Sequence, residues 1–234
     1  MSFLDLCVED SLPIWQRCLE TDFLRRLADG TLEEACFQGY LVDDSLYLRE
    51  YARVFAWGML HAVDMEEMRA FYSILAFVNE AEDSTRRYYL HLYGLDDGAI
   101  QALPLRPENQ AYVDTMLSAA REGPGAAECM MACMPCMLSY FWLFGQMEER
   151  FPGVARTPYG RFVADYTGER YTNLCRSWSA FTDRVCADLD AARRERCLAI
   201  FRACSQHEYH FWRMSERPRT DLALARVSQE EVRR

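Results

Sequence analysis

The chain has 234 residues, 50% of them hydrophobic, enough to bury one large core or two small ones without covalent staples, and a single domain over 1–234 is the expectation. Its net charge is −10, and its basic residues are dispersed or paired with acids, as in Arg193-Arg194-Glu195-Arg196, so no continuous cationic face is offered to phosphates and no nucleic-acid partner is expected. The ten cysteines are scattered through amphipathic segments, and no charged and apolar leader opens the chain, so they read as reduced thiols in a cytoplasmic protein.

Nearly every segment carries the 3.6-residue apolar period and none alternates with period two, so the expected fold class is all-α. A first helix covers about Phe3 to Cys18, with Pro13 bending or dividing it. Asp29-Gly30 makes a turn, and Thr31-x-x-Glu34 reads as a capping box that starts a long helix to about Val63. Asp64 caps the next helix, running through Met65, Phe71, Leu75 and Val78. A polar patch from Glu80 to Arg87 then leads into Tyr88-Tyr89-Leu90 before the turn from Gly94 to Gly98.

Pro104 and Pro107 precede a helix holding Tyr112, Met116 and Leu117, and Gly123-Pro124-Gly125 separates it from the next. That helix, from about Ala126 to Phe144, is the most apolar stretch. Glu128, Pro135 and Ser139 interrupt it short of the ~20 apolar residues that cross a bilayer, so it is expected in the core and no membrane partner is expected. Phe151-Pro152-Gly153 ends it. Three further helical stretches follow, Arg161 to Tyr166, Arg170 to Leu189 and Ala191 to Met214, then a charged tail over 216–234 with a capping turn at Ser228-x-x-Glu231. The expected architecture is seven to nine helices in one domain.

Three constellations have the residue types for chemistry. Met134-Pro135-Cys136-Met137-Leu138-Ser139-Tyr140 puts a thiol and a phenol one helical turn apart, and a buried thiol beside a hydrogen-bonding aromatic suits attack on a flat heterocycle. Asp44, Tyr47 and Tyr51 occupy one inward stripe. They are either core tyrosines with a carboxylate on a nearby amide, or a carboxylate that accepts from a ligand's amino edge between bracketing rings. Glu208 lies among Tyr209, Phe211 and Trp212. It points to solvent or, if enclosed, has a raised pKa suited to proton transfer near neutrality.

A metal centre was weighed on His207 and His210, spaced i, i+3, and on Cys129, Cys133 and Cys136 in C-x3-C-x2-C. No second Cys pair or Glu-x-x-His partner completes a set, so neither a metal nor another cofactor is expected. No G-x-S-x-G or phosphate-loop motif is present.

Taken in order, these pieces resemble the TenA / thiaminase II family. The likeness runs through Asp29-Gly30-Thr31-Leu32 with Phe37 and Tyr40; Asp44-Ser45-x-Tyr47-Leu48; Ala111-Tyr112; Pro135-Cys136 with Tyr140; Tyr166; and Glu208-Tyr209-x-Phe211-Trp212, from about residue 10 to 215. The resemblance implies a heme-oxygenase-like helical bundle, a homotetramer, and hydrolysis of thiamin-derived aminopyrimidines. By the same resemblance Cys136 is the nucleophile, Glu208 the acid/base and Asp44 the anchor of the pyrimidine, while Tyr47, Tyr112, Tyr140 and Tyr166 are pocket aromatics, joined on the stripe and helix readings by Tyr51 and Phe211. Three positions depart from the pattern: Arg86 where many members have histidine, Asp43 in place of glutamine, and Leu46 in place of an aromatic. Two rivals share the implied fold: a diiron oxidase, for which the ligands on several helices are lacking, and a non-catalytic pyrimidine-binding or regulatory protein.

Overall fold

The computed structural model describes residues 1–80 and 83–226, with side chains described outside 77–84. Val78 and the Ser228-x-x-Glu231 turn of the sequence reading fall outside the described side chains and residues respectively. Eleven α-helices are present among the described residues: α1 Phe3–Leu19, α2 Asp22–Asp29, α3 Glu34–His61, α4 Met65–Glu80, α5 Asp83–Leu92, α6 Asp97–Gln101, α7 Pro107–Glu122, α8 Ala126–Arg150, α9 Gly160–Thr167, α10 Glu169–Val185 and α11 Ala191–Ser215. The only β pairing among the described residues is an isolated bridge between Leu95 and Arg226, so the all-α reading holds.

The count exceeds seven to nine because two short helices have too few residues to show a period. Both are held by contacts rather than propensity. α2 buries Phe23, Leu24 and Leu27 and stops at Gly30, whose φ of 80° lies in the left-handed region that glycine enters without a side-chain clash. α6 is capped by Asp96, whose side chain accepts from the Ala99 amide.

Two local expectations are revised and a third holds. Pro13 sits within α1 without dividing it, and the carbonyl left without a helical donor belongs to Glu9, an exposed residue whose backbone water can reach. The capping box at Thr31 does not form: Glu33 is the N-cap residue of α3, with no side-chain cap, and the Thr31 hydroxyl instead donates to Asp29 Oδ1 at 2.6 Å. An Asx turn at the end of α2 has outcompeted the start of α3 for that hydroxyl. Asp64, by contrast, caps α4 as expected, accepting from the Glu66 and Glu67 amides, both at 2.8 Å.

α8 is the axis of the bundle, packed against α1, α3, α7, α9, α10 and α11. Among the described residues it is the one helix long and apolar enough to cross a bilayer, despite Glu128, Pro135 and Ser139, but 78% of its most apolar window is buried in the fold, where a core helix was expected. Its polar residues are satisfied internally: fully buried Glu128 pairs with Arg193 through two bonds of 3.1 and 2.8 Å, and Ser139 donates to the Cys136 carbonyl at 3.2 Å.

The charged stretch after α11 is not a free tail over its first half. Arg219 is buried, donating to the Pro104 carbonyl at 2.8 Å and pairing with Asp43 at 2.6 Å and Asp221 at 2.8 Å, while Leu222 and Ala225 are buried beside it.

Candidate active site

The functional side chains come from five helices that converge on the middle of α8. Of the ten cysteines, all free, nine are buried, and Cys136 alone keeps an intermediate exposure. The expectation of a fully buried thiol is therefore corrected. Burial pushes Cys133 well above an ordinary thiol and Cys129 up to about 12, so those two are inert packing groups.

Glu208, on α11, is enclosed: its residue is 2% exposed, so the solvent-facing alternative is ruled out. The Tyr112 hydroxyl donates to Glu208 Oε1 at 2.6 Å, and the Cys136 thiol hydrogen-bonds to the same carboxyl. Burial pushes the Glu208 pKa up to about 8, with Asp44 adding to the rise and the bonds from Tyr112 and Cys136 opposing it. A carboxyl with that pKa exchanges a proton readily near neutrality.

Asp44 keeps some surface on a cavity of about 20 Å³, room for one water, whose walls include Leu48, Arg86, Phe162, Asp165 and Tyr166. Burial pushes its pKa up to about 7, while the Arg86 charge draws it down and Asp43 pushes it up. Arg86 also bonds Ser45 Oγ at 2.9 Å and Asp97 at 3.0 Å, so it ties α5 to α3 and α6 at the mouth of the cavity. A groove of about 710 Å³ lies elsewhere, between the end of α1, α2 and the end of α8, and carries none of these residues.

The predicted aromatics are brought together unequally. Tyr47, Tyr51, Tyr112, Tyr140 and Phe211 are buried and Tyr166 is half-buried on the cavity wall. The Tyr47 ring sits 5.0 Å from Tyr112 and 5.9 Å from Phe211, and Tyr140 lies 5.0 Å from Tyr166. Burial pushes the Tyr47, Tyr112 and Tyr140 phenols well above the usual value, which keeps them neutral donors and acceptors. Tyr51 is turned to α8, its hydroxyl donating to the Cys133 carbonyl at 3.2 Å.

Tyr40, which the sequence reading gives no pocket role, also belongs to this cluster. Its hydroxyl lies 3.1 Å from that of Tyr140, and Asp44, Tyr166 and Cys136 all raise its pKa after burial has done so. Extending the stripe of Asp44, Tyr47 and Tyr51 one turn back reaches Tyr40, so the signal was present. Phe162 and Asp165 carried no such signal, because α9 is too short to show which face it turns inward.

Asp43, expected as a second acid of the site, points away from it and is 0% exposed, bonded by both Arg106 and Arg219. Leu46 is fully buried. Among the described residues no group of three or more His, Cys, Asp and Glu is placed to share a metal ion; His207 engages Thr115 and His210 engages Gln206.

The helical bundle thus closes on one accessible thiol, two carboxyls of raised pKa and a lining of phenols. Residues 9–218 match the family model described as TENA/THI-4/PQQC, and the chain belongs to that family. It is 29% identical over 216 residues to an aminopyrimidine aminohydrolase of Halalkalibacterium halodurans, a match that covers 92% of this chain and 96% of that one. An aminopyrimidine aminohydrolase of Helicobacter pylori is 26% identical over 208 residues, covering 88% and 95%. Among solved structures, a TenA homologue from P. horikoshii superposes with a TM-score of 0.81 at 25% identity, covering 94% of this chain and 100% of that one. A TenA family transcription regulator from Silicibacter sp. TM1040 superposes at 0.82 with 23% identity over 92% and 97%, a likeness of fold alone.

Proposed function

We propose that the protein hydrolyses a thiamin-derived aminopyrimidine, releasing ammonia from 4-amino-5-aminomethyl-2-methylpyrimidine and leaving the hydroxymethylpyrimidine, by covalent catalysis at Cys136. The observation that carries the reading is the enclosed Glu208, held by Tyr112 and in hydrogen-bond contact with Cys136, the one cysteine that is not buried.

Direct displacement at the exocyclic methylene would need a poorly stabilised cation, and covalent addition avoids it. Glu208 as carboxylate takes the thiol proton, and the Cys136 sulfur bonds to the ring carbon next to the one bearing the methylene. The ring electrons then expel the amine, to which Glu208 returns the proton. Water adds to the exocyclic carbon, giving its proton to Glu208, the carbon–sulfur bond breaks, and the proton goes back to sulfur. Asp44 holds the amidine-like edge of the ring and polarises it, and the phenols of Tyr47, Tyr112, Tyr140 and Tyr166 stack on the ring and orient it. A pyrimidine is larger than the 20 Å³ cavity, so binding displaces part of its wall, where Arg86 and Tyr166 stand.

The test is ammonia release from the aminomethylpyrimidine, compared with cleavage of intact thiamin. Turnover of the aminomethylpyrimidine, with the smaller leaving group, is expected to be the faster; absence of turnover on both would overturn the reading in favour of a pyrimidine-binding protein. A salvage role places the protein in the cytoplasm, and family likeness suggests a homotetramer, which sedimentation would check.

A further inference from the structure

The donor that orients Glu208 is itself braced from behind. His207 precedes Glu208 on α11 and turns to α7, where its ring stacks on Tyr112 at 5.3 Å between centroids and 13° between planes. Its Nε2 lies 3.0 Å from Thr115 Oγ1, one helical turn along α7 from Tyr112. The Thr115 hydroxyl has one proton, and it is donated to the Ala111 carbonyl at 2.9 Å.

That assignment settles the tautomer. An oxygen that has given its proton away can only accept, so His207 Nε2 carries the hydrogen and Nδ1 keeps its lone pair. Nδ1 is buried and finds no partner among the described residues; the opposite tautomer would strand an N–H donor there, the rarer and costlier defect. Burial, with His210 beside it, pushes the His207 pKa below the ordinary imidazole value, so the ring is neutral near pH 7. A flat neutral ring is thus locked to α7 at two points, by its face and by its edge.

We propose that His207 is a positioning residue: by stacking on Tyr112 and donating to Thr115 it fixes the phenol that bonds Glu208, and so aims the Glu208 carboxyl at the Cys136 thiol. The proposal rests on the hydrolytic reading for its effect on rate, but the bracing of Tyr112 can be measured without turnover. A tyrosine side chain free to swing about its Cα–Cβ bond would otherwise sample positions from which its hydroxyl misses the carboxyl, and loosened packing of the ring accompanies that freedom.

The experiment is a double-mutant cycle of His207→Ala and Tyr112→Phe, with His207→Phe as the variant that keeps a stacking ring. His207→Ala is expected to lower kcat for ammonia release about 5- to 10-fold with KM within about twofold, and His207→Phe to recover part of that loss. In the Tyr112→Phe background, where the positioned hydroxyl is gone, His207→Ala is expected to cost less than about twofold. Equal losses in both backgrounds overturn the proposal, as does a lowered Tm with kcat unchanged.

Carbon-13 NMR of labelled tyrosine rings, with Tyr112 assigned from Tyr112→Phe, gives the readout that needs no turnover. Slow ring flips of Tyr112 in the wild type and fast ones in His207→Ala are expected; an unaltered Tyr112 signal overturns the brace. If the wild type releases no ammonia the hydrolytic reading falls, and the ring-flip comparison still decides the positioning of Tyr112.

Discussion

Asp43 and Asp44 are neighbours on α3, and the bundle uses them in opposite ways. Asp43 faces the junction of α3, the start of α7 and the segment after α11, where Arg106 and Arg219 both bond its carboxylate. The same two arginines hold the backbone around them, Arg219 through the Pro104 carbonyl at 2.8 Å and Arg106 through the Met214 and Arg217 carbonyls at 3.1 and 2.9 Å. Burial pushes the Asp43 pKa up and the two guanidiniums oppose it. Asp44, about 100° around the helix, meets a cavity, neutral phenols and a single nearby cation, Arg86. The comparison teaches that an acid whose two oxygens are both taken by guanidiniums serves the fold, whereas acids enclosed mainly by neutral groups, as Asp44 and Glu208 are, keep a bonding capacity that a ligand can use.

The largest effect should come from the pocket. Cys136→Ser is expected to lose about 10³-fold or more in turnover while still binding the product pyrimidine, because it removes the nucleophile and little volume. Steady-state ammonia release and calorimetric binding check this, and near-wild-type turnover would sink the nucleophile assignment.

On the other side of the comparison, Asp43→Asn keeps the volume but leaves two guanidiniums around a neutral amide. A loss of about 3–5 kcal/mol in chemical denaturation is expected, with turnover per folded molecule almost unchanged. A stable variant with collapsed turnover would mean that Asp43 belongs to the site after all.

Glu208→Gln probes both properties of an acid among neutral groups. Turnover should fall about 10²-fold with loss of the proton carrier. The folded pKa of about 8 stands above the unfolded value of 4.5, so the native state binds this proton more tightly than the unfolded one, and the wild type loses stability as pH rises from about 4.5 to about 8. The loss is on the order of a few kcal/mol. In Glu208→Gln that part of the slope disappears, while the contribution from Asp44 remains. Thermal melts between pH 5 and 9 compare the two proteins; parallel curves would contradict the enclosure of Glu208.

The smallest effect tests a site that neither region uses. Thr31→Ala should cost less than about 0.5 kcal/mol, since the hydroxyl caps no helix and bonds an exposed aspartate. A loss of about 1 kcal/mol or more would restore the capping box.

What the sequence alone determined about this protein is local or periodic. Helical periodicity, the cap at Asp64 and the glycine and proline breaks placed most ends of the long helices within about two residues, because their causes lie within a few residues of their effects; α10, expected to reach Leu189, ends at Val185. The family pieces placed Cys136, Glu208 and Asp44 in order along the chain. What only the tertiary structure decided is which of two similar residues does what. Pro135 and Tyr140 mark Cys136 out in sequence, but only the fold leaves Cys136 partly exposed while burying Cys133, and brings Cys136 to Glu208 of α11. Asp43 is separated from Asp44 by arginines 63 and 176 residues away. Glu208 has its raised proton affinity because the bundle excludes water from it and sets Asp44 nearby, while α7 brings the Tyr112 hydroxyl that holds the carboxyl in place. Burial and charge pairing depend on distance in space, and a helix period reports the face on which a side chain lies but not which neighbour the fold brings to that face.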